Sequence, residues 1–89
     1  MDLQSRLEIL LNLAAELGIE IRRESLGGAG GGMCVLRGRR VLFVDTSADL
    51  DTCYEKTAGA LANVREVDGR YLPPEVRDDL SRFSEAGRA

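Results

Sequence analysis

The stretch "LGGAGGGMCVLRGRRVLFVD", Leu26 to Asp45, decides how this chain is read. It opens with five glycines in six residues: Gly27, Gly28, Gly30, Gly31 and Gly32. Glycines that lead from a strand into a helix make a cradle for phosphate, whereas glycines that lead into another strand make a connector. The residues after this run read as strand. Two apolar runs flank Arg-Gly-Arg-Arg, which is the pattern of a β-hairpin with arms Met33–Arg37 and Arg40–Asp45. Gly38-Arg39 is the expected two-residue turn, since a type II′ turn prefers Gly first. In that register Leu36 faces Val41, Val35 faces Leu42 and Cys34 faces Phe43. Both faces are apolar near the base, which suits the centre of a sheet, with charge confined to the tip.

The phosphate motifs fail on residue type as well. Gly27 and Gly32 have the spacing of GxxxxGK[ST], but Met33 and Cys34 stand where the Lys and the hydroxyl residue belong. GxGxxG would need glycine at position 33 after Gly28 and Gly30. The run is therefore read as a strand-to-strand connector or a backbone-lined recognition loop. Ordering such residues costs about 1–2 kcal/mol each in backbone entropy, so the loop is either mobile or held by something.

Working outward, residues 3–17 form an amphipathic helix. Leu3, Leu7, Leu10, Leu11, Ala14 and Leu17 recur on one face, Asp2 is the expected N-cap, and Gly18 the expected terminator. Residues 19–25, "IEIRRES", alternate as an edge strand with one wet face. Beyond the hairpin, Ser47 or Asp49 caps a second helix. Its apolar stripe is Leu50, Cys53, Tyr54, Thr57, Leu61 and Val64. Gly59 inside it implies close packing against the sheet. Asp68-Gly69 marks a turn, and Pro74 opens a short helix carrying Val76, Leu80 and Phe83. The expectation is one α+β domain over residues 1–84, with a frayed tail at 85–89. Its order is α-β-β-β-α plus a short C-terminal helix. A small three-stranded, mostly antiparallel sheet carries two helices on one face.

Composition narrows the chemistry. The chain has 89 residues, so one thin core must suffice, and with two Phe, two Tyr and no Trp that core is aliphatic. There is no histidine. That removes Ser-His-Asp triads, Cys-His pairs and HExxH zinc sites, and no cofactor, metal site or catalytic residue is expected. The net charge of −3 argues against nucleic acid as the partner. Cys34 and Cys53 lack zinc-like spacing, and no secretory or membrane-spanning segment is evident. Two buried, reduced thiols in a cytoplasmic protein are the expectation.

The element order is similar to the minimal core of zincin-like metallopeptidases of the kind that accompanies bacterial phage-repressor regulators. There, a strand such as "RVLFVD" leads into a helix bearing A-H-E-L-G-H. The equivalent stretch here is "AGALAN", Ala58 to Asn63. Ala58 and Leu61 match, while Gly59, Ala60 and Asn63 stand at the two His and the Glu. The resemblance implies a shared fold whose zinc and catalytic residues are absent. The chain also looks like other small bacterial proteins.

The remaining candidates are binding features. Arg22, Arg23, Arg37, Arg39 and Arg40 fall within one short window and form a candidate patch for an acidic protein or a phosphoanion. The glycine loop is the second. Asp45, Asp49 and Asp51 are acidic neighbours whose main expected duty is capping, and Lys56 reads as a solvated residue. A non-enzymatic protein-interaction module is the leading functional reading, with a second copy of the chain as one candidate partner. A nucleic-acid or phosphoanion binder acting through the Arg-rich hairpin tip is the alternative.

Overall fold

The computed structural model of the chain describes residues 1–84, so the expected frayed tail lies outside the described residues. The elements are α1 (Leu3–Glu16), β1 (Glu20–Glu24), β2 (Gly31–Leu36), β3 (Arg39–Asp45), α2 (Leu50–Leu61), a 3₁₀ turn (Arg65–Gly69) and α3 (Pro74–Phe83). The fold is α+β with the expected element order. Asp2 caps α1, its carboxylate accepting from the Ser5 N–H at 2.8 Å, and Asp49 caps α2 through the Thr52 N–H at 2.7 Å.

The sheet is mixed, in the order β1-β3-β2. β3 pairs in parallel with β1 (Ile21 beside Leu42) and antiparallel with β2 (Met33 beside Leu42). The last strand in sequence is thus inserted between the first two, and only β3 is central. β2 is an edge, contrary to the expectation that the whole hairpin sits mid-sheet. The alternation of side chains splits β3. Leu42 and Val44 join Leu10, Ala14, Ile19, Tyr54, Ala58 and Leu61 in the core. Val41 and Phe43 stand on the opposite face, beside Glu20, Arg22 and Cys34. The core is aliphatic, as the composition requires, and α1 and α2 cover the Leu42 face of the sheet. Val67, Leu72, Val76 and Leu80 close its far side.

The hairpin turn differs from the expected one. Leu36 pairs with Arg39, so the turn residues are Arg37 and Gly38, with φ of 53° and 79°. Positive φ at both positions is the signature of a type I′ turn. A left-handed arginine is costly, on the order of 1 kcal/mol, and the far end of the strand explains why it is kept. Only this register sets Gly31 beside Val44, where a Cβ on residue 31 would collide with the backbone carbonyl of Phe43. The paired positions differ from the expected ones by two, so each side chain keeps its face.

Gly31→Ala should therefore unfold at markedly lower denaturant, a loss of about 3 kcal/mol or more, because φ of +97° and the Phe43 carbonyl both oppose a side chain. Gly27→Ala meets no neighbouring atom within 4 Å and should cost about 1 kcal/mol. Urea titrations of the two variants make the comparison.

Candidate functional site

The glycine loop does hold an anion, and the anion belongs to the chain. The loop passes from β1 over the end of β3 to β2, and the Asp45 side chain lies wholly buried beneath it. One carboxylate oxygen accepts from the N–H groups of Leu26 (2.8 Å) and Ser47 (2.9 Å) and from the Ser47 hydroxyl (2.6 Å). The other accepts from the N–H groups of Gly28 (2.7 Å) and Gly30 (3.1 Å). The Gly27 N–H donates to Ser47 Oγ at 3.2 Å. Among the described residues, no cationic side chain bonds to the carboxylate. Converging backbone dipoles replace its hydration, as they do in anion-binding nests. Gly30 is buried against α2, where a Cβ would press on Lys56 Cγ and Thr52 Cγ2 at 2.7 and 2.8 Å. The loop is therefore held internally, and the amides of Leu26, Gly27, Gly28 and Gly30 are already occupied.

The hydrogen bond from Ser47, with those from Leu26 and Gly30, outweighs burial and holds the Asp45 carboxyl far below the usual carboxylate range. A depressed native pKa adds stability that is complete above the unfolded value of about 3.9 and is lost as pH falls towards the native value. Asp45→Asn should lower the urea midpoint at pH 7, because its NH₂ faces donors. It should also shrink the difference in midpoint between pH 7 and pH 3. Titrations at the two pH values test both.

The other acidic candidates are also engaged or solvated. Asp49 is the α2 cap, and Asp51 lies exposed in the first turn of that helix. Among the described residues, no group of three or more His, Cys, Asp or Glu is placed to hold a metal ion.

A second buried carboxylate, Asp79, escaped the sequence reading. It accepts from Tyr54 Oη at 2.6 Å and Arg6 Nη1 at 3.0 Å, and from Arg82 Nη2 at 2.8 Å. One side chain thus ties α3 to α1 and α2. Burial and the hydrogen bond to Asp79 push the Tyr54 phenol well above its usual value. Phe83 meets the Tyr54 ring edge-on at 6.5 Å and lies under the Arg82 guanidinium. Tyr54→Phe should cost about 1.5–3 kcal/mol by urea unfolding, the range for a hydrogen bond to a charged group.

The structure does not assemble the five arginines into one patch. Arg40 lies on the helix side, where it donates to the Leu17 carbonyl and pairs with Glu66 at 3.0 Å. Arg22 pairs with Glu20 at 2.6 Å on the opposite face. Arg37 and Arg39 are exposed at the tip, while Arg23 sits beside Val44 at the other end of the sheet. The cysteines are likewise separated. Cys53 is buried, its thiol donating to the Asp45 carbonyl at 3.1 Å, and burial raises its pKa. Cys34 is exposed on the outer face, against the expectation that both are buried, because β2 is an edge strand.

The open edge of β2 is the feature that sequence reasoning missed. A groove of about 600 Å³ runs between it and α2, lined by Met33, Val35 and Arg40 of the sheet, by Lys56 and Gly59 of the helix and by Asn63 just beyond its end. Gly59 faces this groove and the end of α3 rather than the sheet, where a Cβ would meet the Phe83 carbonyl oxygen at 3.6 Å. A shallower hollow of about 370 Å³ lies on the outer face, with Leu26, Ala29 and Phe43 in its lining. Gly32, Met33 and Cys34 border both hollows. Val35 is 66% exposed and Leu36 44%. No known protein family matches the chain, nor does any curated protein or solved structure. No helix among the described residues is long and apolar enough to cross a membrane.

Proposed function

We propose that the chain is a non-enzymatic protein-interaction module that accepts an extended segment along the open edge of β2. The observation that carries this reading is the contrast between the two sheet edges. β1, "EIRRE", carries four charges in five residues, the usual protection of an edge against further pairing. β2, "GGMCVL", carries none, and it leaves apolar side chains in water above a groove floored by small residues of α2. Strand addition needs unpaired main-chain groups for affinity and side-chain pockets on alternate positions for selectivity. Both are present at this edge.

The non-enzymatic reading rests on the absence of histidine and on the engagement of both buried carboxylates by internal donors. The likeness to the zincin-like core is read as one of fold, since Gly59, Ala60 and Asn63 supply neither a zinc ligand nor a general base. Phosphoanion capture at the hairpin tip is weaker. Ion pairs with Glu20 and Glu66 engage Arg22 and Arg40.

The pairing of Leu36 with Arg39 around a two-residue turn makes Leu36, Cys34 and Gly32 the positions whose amides face β3. The Asp45 N–H to Gly30 carbonyl contact of 3.5 Å continues that alternation. Gly31, Met33 and Val35 therefore turn their N–H and C=O groups outward. Peptides selected from a display library for binding the folded chain should shift the amide resonances of Gly31, Met33 and Val35 most. Selected peptides that instead shift Arg37 and Arg39, and lose affinity steeply with salt, would move the site to the hairpin tip.

A further inference from the structure

The outward-facing groups of β2 are arranged to suit one occupant in particular. We propose that the segment docked on β2 is the β2 strand of a second copy, running antiparallel about a two-fold axis at Cys34 and making one six-stranded sheet. The proposal rests on the edge-strand reading above and names its partner.

Self-pairing about a two-fold axis brings every feature of the edge against itself, so like charges on an edge oppose its own copy. β2 has no charge to oppose. Hydrogen-bonded pairs must come from residues with outward amides, which leaves Met33 with the partner's Val35 and Val35 with the partner's Met33. Both side chains project to the helix side, where the groove of about 600 Å³ has Gly59 and Ala60 in its wall and room for them. On the outer face, Leu36 comes opposite the partner's Gly32. That glycine sits beside Phe43 in the shallow apolar hollow. The two exposed large hydrophobic residues of the strand, Val35 and Leu36, are thus covered at once, in two different hollows. A heterologous peptide would have to reproduce this alternation, whereas the chain carries it already.

In this register Cys34 falls on the axis as a non-hydrogen-bonded pair with its own copy. Such pairs have Cα atoms about 4.5 Å apart, within the range of about 4.4–6.8 Å that a disulfide spans. Diamide is a suitable probe: two thiols yield one S–S bond, and their two protons and two electrons reduce the diazene to a hydrazine. Cys53, buried with its thiol bonded to the Asp45 carbonyl, is shielded from the reagent.

The test combines sedimentation velocity of the full chain at micromolar concentrations with diamide trapping and peptide mapping of the product. The expected result is a concentration-dependent dimer, a covalent dimer linked through Cys34, and a Cys34→Ser variant that dimerises without crosslinking. Val35→Pro removes an outward N–H and leaves the β3 ladder intact, and should sediment as a monomer with an unchanged far-ultraviolet spectrum. Should that variant fail to fold, Val35→Lys sets an ammonium opposite the partner's Met33 and brings two like charges to one face of the interface, and should weaken dimerisation at least tenfold. A dimer that survives Val35→Lys unchanged overturns the proposal. So does a dimer that crosslinks through Met33→Cys in a Cys34→Ser background but never through Cys34. A strict monomer overturns it too, and the library peptides then separate the two ideas. If they still shift Gly31, Met33 and Val35, only self-pairing has failed; if they do not, the edge-strand reading falls with it.

Discussion

The rest of the molecule is arranged around a buried negative charge that is held, among the described residues, by neutral N–H and O–H donors. Asp45 stands at the end of the central strand, and its two oxygens gather five donors from the loop that joins β1 to β2 and from the turn that leads to α2. An isolated carboxylate in such a place would be prohibitively costly; one surrounded by fixed N–H and O–H dipoles is stabilised. The consequence is geometric. The end of β1, the beginning of β2 and the start of α2 are all held to one side chain. The backbone adds to this, since the Asp45 carbonyl accepts from Ala48 N–H at 3.2 Å and from the Cys53 thiol. The glycines are the complement of that charge: Gly28 and Gly30 donate to it from positive φ, which side chains other than glycine's rarely tolerate, and Gly30 does so where a Cβ would press on α2.

Much of the fold could be read from the residues. The two long helices, their aspartate caps, the hairpin and the aliphatic core all come from periodicities that act over a few residues. Strand order does not. Nothing in "IEIRRES" distinguishes a strand that pairs antiparallel from one that lies parallel to β3 some twenty residues later. The turn was displaced by one residue because Gly-first chemistry is a local preference. The register is set instead at the other end of the strand, by the tight passage of Gly31 against Phe43. The Asp45 cradle was half visible. The glycine run reads as an anion site, but the anion lies 15 residues beyond Gly30, at a position that also reads as ordinary strand end. Asp79 gave no signal at all, for its partners Arg6 and Tyr54 lie 73 and 25 residues away.

The charged residues divide into those that organise the interior and those that guard the surface. Arg6 and Arg82 serve Asp79, and Arg40 fastens the hairpin to the end of α1 and to Glu66. On β1, Glu20, Arg22, Arg23 and Glu24 line one margin of the sheet. What an arginine-rich window suggests as one surface patch is in fact distributed over two faces and two ends. The sheet is left with a protected margin and an uncovered one, and it is the uncovered one that adjoins both hollows.

The insertion of β3 between two earlier strands also bears on how the chain reaches this state. The hairpin of β2 and β3 closes across a two-residue turn, so its contacts form at little entropic cost. β1 was made before either strand, yet it has no partner until β3 is in place, and its pairing must close a loop of about twenty residues. The loop half of the aspartate cradle, the N–H groups of Leu26, Gly28 and Gly30, closes over the carboxylate only when both have happened. The same carboxylate that holds the finished sheet together is therefore a late-forming contact. Weakening it should chiefly hasten unfolding, while the rate of first collapse is left to the hairpin and the helices.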